Sequence, residues 1–215
     1  MNPRKKHFIF DMDGTLSDTG KATLKAIKIV EERYRDRYPL PSIDESHIQN
    51  AMGIGGLDFY RCLYPTVPED MLIALEPQVD LLEHEAVQAI GPDILFPGVL
   101  EMLAALLQGG YDLHIASTGS KTHVEGTLQA AGITSFFTSV SSDEPVKIDM
   151  VQRIISGTDT EDWAMIGDMF KDSEAARSNH ILALGAGFGY LAKEDYALFD
   201  AVLHKPGDLL AYCRN

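Results

Sequence analysis

The sequence predicts an α/β fold, a doubly wound parallel sheet carrying an inserted all-helical domain. Three observations point there. Short apolar runs with no polar alternation, Phe8–Phe10, Leu113–Ala116, Trp163–Gly167 and Ile181–Leu184, read as strands buried on both faces. Between them lie amphipathic stretches of helix length. The span 17–90 holds only helical patterns and no strand, so it stands apart as an insertion in a core made of 1–16 and 91–215.

The first run ends in Asp11-Met12-Asp13-Gly14-Thr15-Leu16. Two carboxylates at a spacing of two project the same way from an extended backbone. Placing both at the end of a buried strand is costly without a cation or a shared proton. Gly14 permits a sharp turn, and Thr15 adds a hydroxyl and a backbone N–H. The pattern is far more specific than the turn-forming Asp-Gly pair it contains.

The chain has 215 residues, 45% of them hydrophobic and 23% charged, as in ordinary globular proteins. No apolar run reaches a membrane span. Basic residues in Met1–His7 precede an apolar run that Asp11 interrupts at once, so no secretory signal is expected. The two cysteines, Cys62 and Cys213, are far apart, and a reducing cytosol is the expected compartment. A net charge of −14 argues against a nucleic-acid backbone as partner. It also requires that any anionic substrate be met by a metal and a few placed lysines.

Within 17–90, the spacing predicts a helix over Thr19–Tyr38 ended by Pro39 and Pro41. A second helix is expected through Ile48 and Met52, and a third over Leu57–Tyr64. Further helical pieces follow over Met71–Leu75 and Val79–Ala89. Lys21, Lys25 and Lys28 recur on one face, read as solvated. Gly53-Ile54-Gly55-Gly56 lacks the lysine of a phosphate-cradling loop and no strand precedes it, so it is not read as a nucleotide site. Arg61 reads equally as a surface residue or as a substrate contact.

After Pro97-Gly98 a helix runs from Val99 to Leu107 and stops at Gly109-Gly110. The next strand ends in Ser117-Thr118-Gly119-Ser120 and gives way to a helix over His123–Ala131, where hydroxyls and helix N–H groups converge as in an anion site. Phe136, Phe137 and Val140 read as a short buried segment. Lys147 begins a helix against the dipole, which raises it as an anion ligand, although by the residues alone an exposed loop lysine is the better reading; Lys121 is the fallback. Trp163–Gly167 ends in Asp168, at the sheet edge where open α/β folds bind ligands, and Asp172 follows four residues on. Asn179 is expected to close that helix in the left-handed conformation. Carboxylates from two such strands can share Mg²⁺.

Taken in order, these elements resemble the haloacid dehalogenase-like hydrolase superfamily over essentially the whole chain. Asp11-x-Asp13-Gly14-Thr15 matches its first motif, Ser117-Thr118 the second, Lys147 the third and Gly167-Asp168-x-x-x-Asp172 the fourth. The nearest likeness is to phosphoglycolate-phosphatase-like members with a helical cap closing over the site. The chain departs at Thr118, where Asn is common, and at Ile148, where Pro often follows the lysine. The resemblance implies Mg²⁺-dependent hydrolysis of a small phosphate monoester. Asp11 would be the nucleophile and Asp13 the general acid and base. Asp11, Asp168 and Asp13, the last through its backbone carbonyl, would hold the metal. Thr15, Ser117, Thr118 and Lys147 would bind phosphate, with Asp172 in support. Asp13 argues against dehalogenation, since the family's dehalogenases lack it. A sugar phosphomutase, a phosphonate hydrolase using a cap lysine, and a non-catalytic phosphate-binding protein share the scaffold.

Overall fold

The computed structural model describes residues 5–213 apart from positions 37, 39, 53 and 55. The Pro39 stop, Gly53, Gly55 and residues 1–4 therefore lie outside the described residues. Six parallel strands form one sheet in the order β3-β2-β1-β4-β5-β6. They are β1 (His7–Phe10), β2 (Asp112–Ala116), β3 (Ser139–Ser141), β4 (Trp163–Gly167), β5 (Leu182–Ala186) and β6 (Ala201–Leu203). Beside β1, Phe8 faces Leu113 and Ala164, and Phe10 faces Ile115 and Ile166. Phe8, Ile9 and Phe10 are fully buried. Each side chain removed from water in this way contributes roughly 1.5–3 kcal/mol. The run of apolar residues is thus the central strand of the sheet, and both of its faces are covered.

Helices α5 (Val99–Gln108) and α6 (Lys121–Ala130) join the apolar cluster on one face, with Phe8, Phe10 and Ile115. Helices α7 (Lys147–Ile155) and α8 (Phe170–Ser178) join Ile9 and Met165 on the other. Helices α1 (Gly20–Tyr34), α2 (Glu45–Ala51), α3 (Leu57–Leu63) and α4 (Glu69–Ile90) gather a third cluster of their own. Ile27, Val30, Ile48, Leu72, Leu75 and Val79 are buried in it. The chain leaves the sheet and returns to it side by side. Ser17 bridges Leu95, Phe96 N donates to Leu16 O at 3.0 Å, and Asp18 N donates to Ile94 O at 2.8 Å.

Several expectations are corrected. The stretch after Pro68 is one 22-residue helix that runs through Pro77, not two pieces. Buried Leu72, Leu75 and Val79 lie on both sides of the proline, and their packing outweighs the lost backbone bond. Helix α1 stops at Tyr34, four residues short of expectation. Val140 is exposed, because β3 is an edge strand with one face open. Asn179 keeps φ at −100°, and the left-handed residue is His180, φ 56°. Asn179 instead donates its amide to Ile148 O and Ala175 O, tying α8 to α7.

Candidate active site

The carboxyl ends of β1, β2 and β4 bring the sequence-identified residues to one edge of the sheet. Asp11 follows β1 and Asp168 follows β4, because the two strands pair in register with Phe10 beside Ile166. Asp172 sits one turn into α8, with its Oδ2 accepting the backbone N–H groups of Asp168 and Met169 at 3.1 and 2.9 Å. A side chain on Gly167 would collide with Asp172, so this turn requires glycine. Lys147, the first residue of α7, reaches Asp11 Oδ1 at 2.8 Å and Asp172 Oδ1 at 2.6 Å. The lysine that opposes its own helix dipole is thus compensated by two carboxylates. Lys121 points elsewhere. It is exposed and lies 3.8 Å from Glu125.

Asp11, Asp168 and Asp172 are buried, and each offers an oxygen within 4.8 Å of the others. Thr15 Oγ1 donates to Asp168 Oδ1 at 2.6 Å, but the buried Asp168 Oδ2 has no partner. Both Asp172 oxygens are already committed, to Lys147 and to the backbone. Burial, with Asp172 and Asp13 nearby, pushes the Asp11 carboxyl up to about 7 against the opposing pull of Lys147. Burial, with Asp11 and Asp172, lifts Asp168 well above the usual carboxylate range. Lys147 is raised: burial opposes its charge, but the two carboxylates outweigh that. With its carboxyls ionised, the cluster would carry more negative charge than one lysine balances. Asp11 and Asp168 have the donor set and the free oxygen that suit a hard divalent cation.

Asp13 turns away from this cluster. Its Oδ1 accepts from Thr19 Oγ1 at 2.7 Å, and His123 Nε2 lies 3.0 Å from both carboxylate oxygens. Burial would raise Asp13, but His123 and Thr19 hold it below the usual range. Asp13 in turn pushes His123 up to about 10 against its own burial, with Glu83 and Asp80 adding to the effect. His123 is absent from the sequence-derived set. The available signal is a histidine one turn into α6, directly after the hydroxyl run, with Ser120 Oγ accepting its backbone N–H at 3.2 Å.

A cavity of about 480 Å³ opens above these groups. Asp11, Asp13, Ser117 and Thr118 line it on the sheet side. Ser117 is buried, and its Oγ accepts Gly119 N–H at 3.1 Å. Residues of α3 and α4, among them Tyr60, Asp80 and Glu83, line the opposite wall. Arg61 takes no part. It is on the surface, paired with Asp58 and Glu69. Lys21, Lys25 and Lys28 border a separate groove on the outer face of α1. Glycines hold the floor closed. Gly14, φ 79°, has Asp168 Oδ2 2.4 Å from where a Cβ would stand, and a Cβ on Gly189 would lie 1.8 Å from Gly14 O.

The fold and this arrangement define a hydrolase of the haloacid dehalogenase-like class. The chain belongs to that family, whose model matches residues 8–186. It is 26% identical over 219 residues to the pyrophosphatase PpaX of Listeria monocytogenes, covering 96% of this chain and 95% of that one. It is 27% identical over 210 residues to a phosphoglycolate phosphatase of Synechococcus elongatus, covering 94% of each. A haloacid dehalogenase-like hydrolase from Streptococcus pneumoniae superposes with a TM-score of 0.81 at 22% identity, over 97% of this chain and 98% of that one. A β-phosphoglucomutase from Clostridium difficile gives 0.74 at 16%, over 95% and 93%. The two structural likenesses establish the shared fold. Among the described residues no helix is long and apolar enough to cross a membrane.

Proposed function

We propose that this protein is a Mg²⁺-dependent phosphatase that hydrolyses a small phosphate monoester through a phosphorylated Asp11. The observation that carries this is the pairing of Asp11 with Lys147 beside the unpartnered Asp168 Oδ2, with Asp11 lining a cavity sized for a small metabolite. Helices α1–α4, residues 17–90, act as the cap that closes over that cavity and excludes water.

Asp11 attacks phosphorus, and the bond to the ester oxygen breaks. The proton that His123 holds against Asp13 passes through Asp13 to the departing alkoxide, which leaves as the alcohol. In the second half Asp13 takes a proton from water, and the resulting oxygen attacks phosphorus. Inorganic phosphate is released, and Asp11 and the protonated His123–Asp13 pair are restored. His123 and Thr19 keep the Asp13 carboxyl aimed at the leaving oxygen rather than at the cluster around Asp168. Ser117 and Thr118 hold the phosphoryl oxygens, and Lys147 balances charge on Asp11. Thr15, expected beside them, is instead fully buried outside the cavity lining, with its hydroxyl on Asp168 and its N–H on Met12 O. Asp11 and Asp168, with the Asp13 backbone carbonyl, would hold Mg²⁺, and Asp172 fixes Lys147 and the turn. When bound, that cation neutralises charge on the phosphoryl group and on the two carboxylates.

A phosphonate hydrolase would need a lysine reaching the cavity from the cap. Lys21, Lys25 and Lys28 lie on the outer groove, which favours the phosphatase. Hydrolysis of p-nitrophenyl phosphate, followed as release of inorganic phosphate, tests the reading. Turnover with Mg²⁺ that EDTA abolishes supports it. Transfer of phosphate to a second sugar position without net release would mark a mutase.

A further inference from the structure

The cap wall of the cavity is acidic. Glu76, Asp80 and Glu83 follow at spacings of four and three along α4, so they share one face, and all three line the cavity above Asp11 and Asp13. Like charges at this spacing destabilise a helix, and partial burial adds to the cost. Burial lifts all three carboxyls above their usual range. Asp80 accepts from Tyr60 Oη at 3.1 Å and Glu83 from Thr23 Oγ1, but neither partner carries charge. The cation facing them is His123, and Asp13 already occupies it. Among the described residues no lysine or arginine lines the cavity.

On the reading of this cavity as a phosphatase site, we infer that the leaving group of the substrate carries a cationic amine that Glu76, Asp80 and Glu83 hold against the cap. A carboxylated leaving group would meet three like charges and no cation other than His123, which Asp13 already pairs. A neutral polyol would leave the three carboxylates uncompensated. An ammonium supplies the missing charge and can donate to several carboxylate oxygens at once. Phe59 and Tyr60 line the same wall, and aromatic rings also attract such a cation. The substrate class is therefore an aminoalkyl phosphate, which sets this chain apart from the relatives named for phosphoglycolate and pyrophosphate.

The test uses the full chain with Mg²⁺ and three sets of alkyl phosphates of matched length, ending in an ammonium, a hydroxyl or a carboxylate. p-Nitrophenyl phosphate serves as reference. The ammonium esters are expected to lead in kcat/KM by about tenfold over the hydroxyl esters, with the carboxylates last. Glu76→Gln and Asp80→Asn are each expected to shrink that lead, mainly by raising KM for the ammonium esters. Two variants are used because Asp80 also anchors Tyr60. Aryl phosphate turnover with no charge preference, or with the carboxylates preferred, overturns the inference and leaves the phosphatase reading standing. Absence of turnover with every ester, the aryl phosphate included, overturns both.

Discussion

Lys147 Nζ stands 2.8 Å from Asp11 Oδ1, joining the first residue of α7 to the end of β1, and both side chains are almost wholly buried. The same ammonium lies 2.6 Å from Asp172 Oδ1. One cation thus stands between two buried carboxylates that would otherwise repel each other. Removing one member of such a buried set leaves uncompensated charge, which costs about 3–5 kcal/mol. Lys147→Met is expected to lower the unfolding free energy measured in urea by that much and to abolish turnover. A variant of unchanged stability would show that the bridge is not what holds the cluster together.

The unpartnered Asp168 Oδ2 leads to a metal-binding prediction that does not depend on turnover. Burial raises the Asp168 carboxyl, so its charge at neutral pH opposes folding. Asp168→Asn is therefore expected to raise Tm in metal-free buffer, since the amide oxygen still accepts from Thr15. Mg²⁺ at a hundredfold over its Kd should stabilise the wild type by about 2.7 kcal/mol and the variant far less. Equal Mg²⁺ responses in a thermal shift assay would remove Asp168 from the metal site.

The pair of His123 and Asp13 has a defined pH window. In the folded protein His123 is pushed up to about 10, above its unfolded value of about 6.5. Its contribution is fully present below about 6.5 and is lost as pH rises through about 10. His123→Gln is expected to cost about 1.5–3 kcal/mol at pH 6, the range for a hydrogen bond to a charged group, and little at pH 10.5. Denaturant melts at the two pH values measure this. A difference that does not change with pH contradicts the ion pair.

Gly189 presses against the turn that carries Asp13. A Cβ there would stand 1.8 Å from Gly14 O, and Tyr190 N–H donates to the same oxygen at 3.0 Å. Gly189→Ala must push the Asp13-Gly14 turn aside. Overpacking of this kind costs about 1–3 kcal/mol. The expected loss of turnover should exceed the loss of stability, which parallel activity and melting measurements would separate.

Much of the sheet and its acidic edge is legible in the sequence. Phe8–Phe10 and Trp163–Gly167 are apolar without alternation because both faces are covered, and each ends in aspartate where the strands meet the cavity. Lys147 is less so. Its unfavourable place against a helix dipole is a weak sign by itself, because its compensation comes from Asp11 and Asp172 elsewhere in the chain. His123 escaped notice for a related reason. Its partner lies 110 residues away, and a histidine in a first helical turn has many ordinary uses. Pro77 reads locally as a breaker, but one continuous helix buries the apolar residues on both sides of it. Arg61 reads as a candidate ligand until Asp58 and Glu69 are seen to hold it at the surface.

The most direct test of the proposed chemistry is to find where phosphate is bonded during turnover. Protein mixed with substrate and Mg²⁺, quenched in acid within milliseconds and digested, is expected to yield a peptide phosphorylated at Asp11. Asp11→Asn should yield none. Phosphate found on another side chain, or full turnover by Asp11→Asn, would contradict Asp11 as the nucleophile.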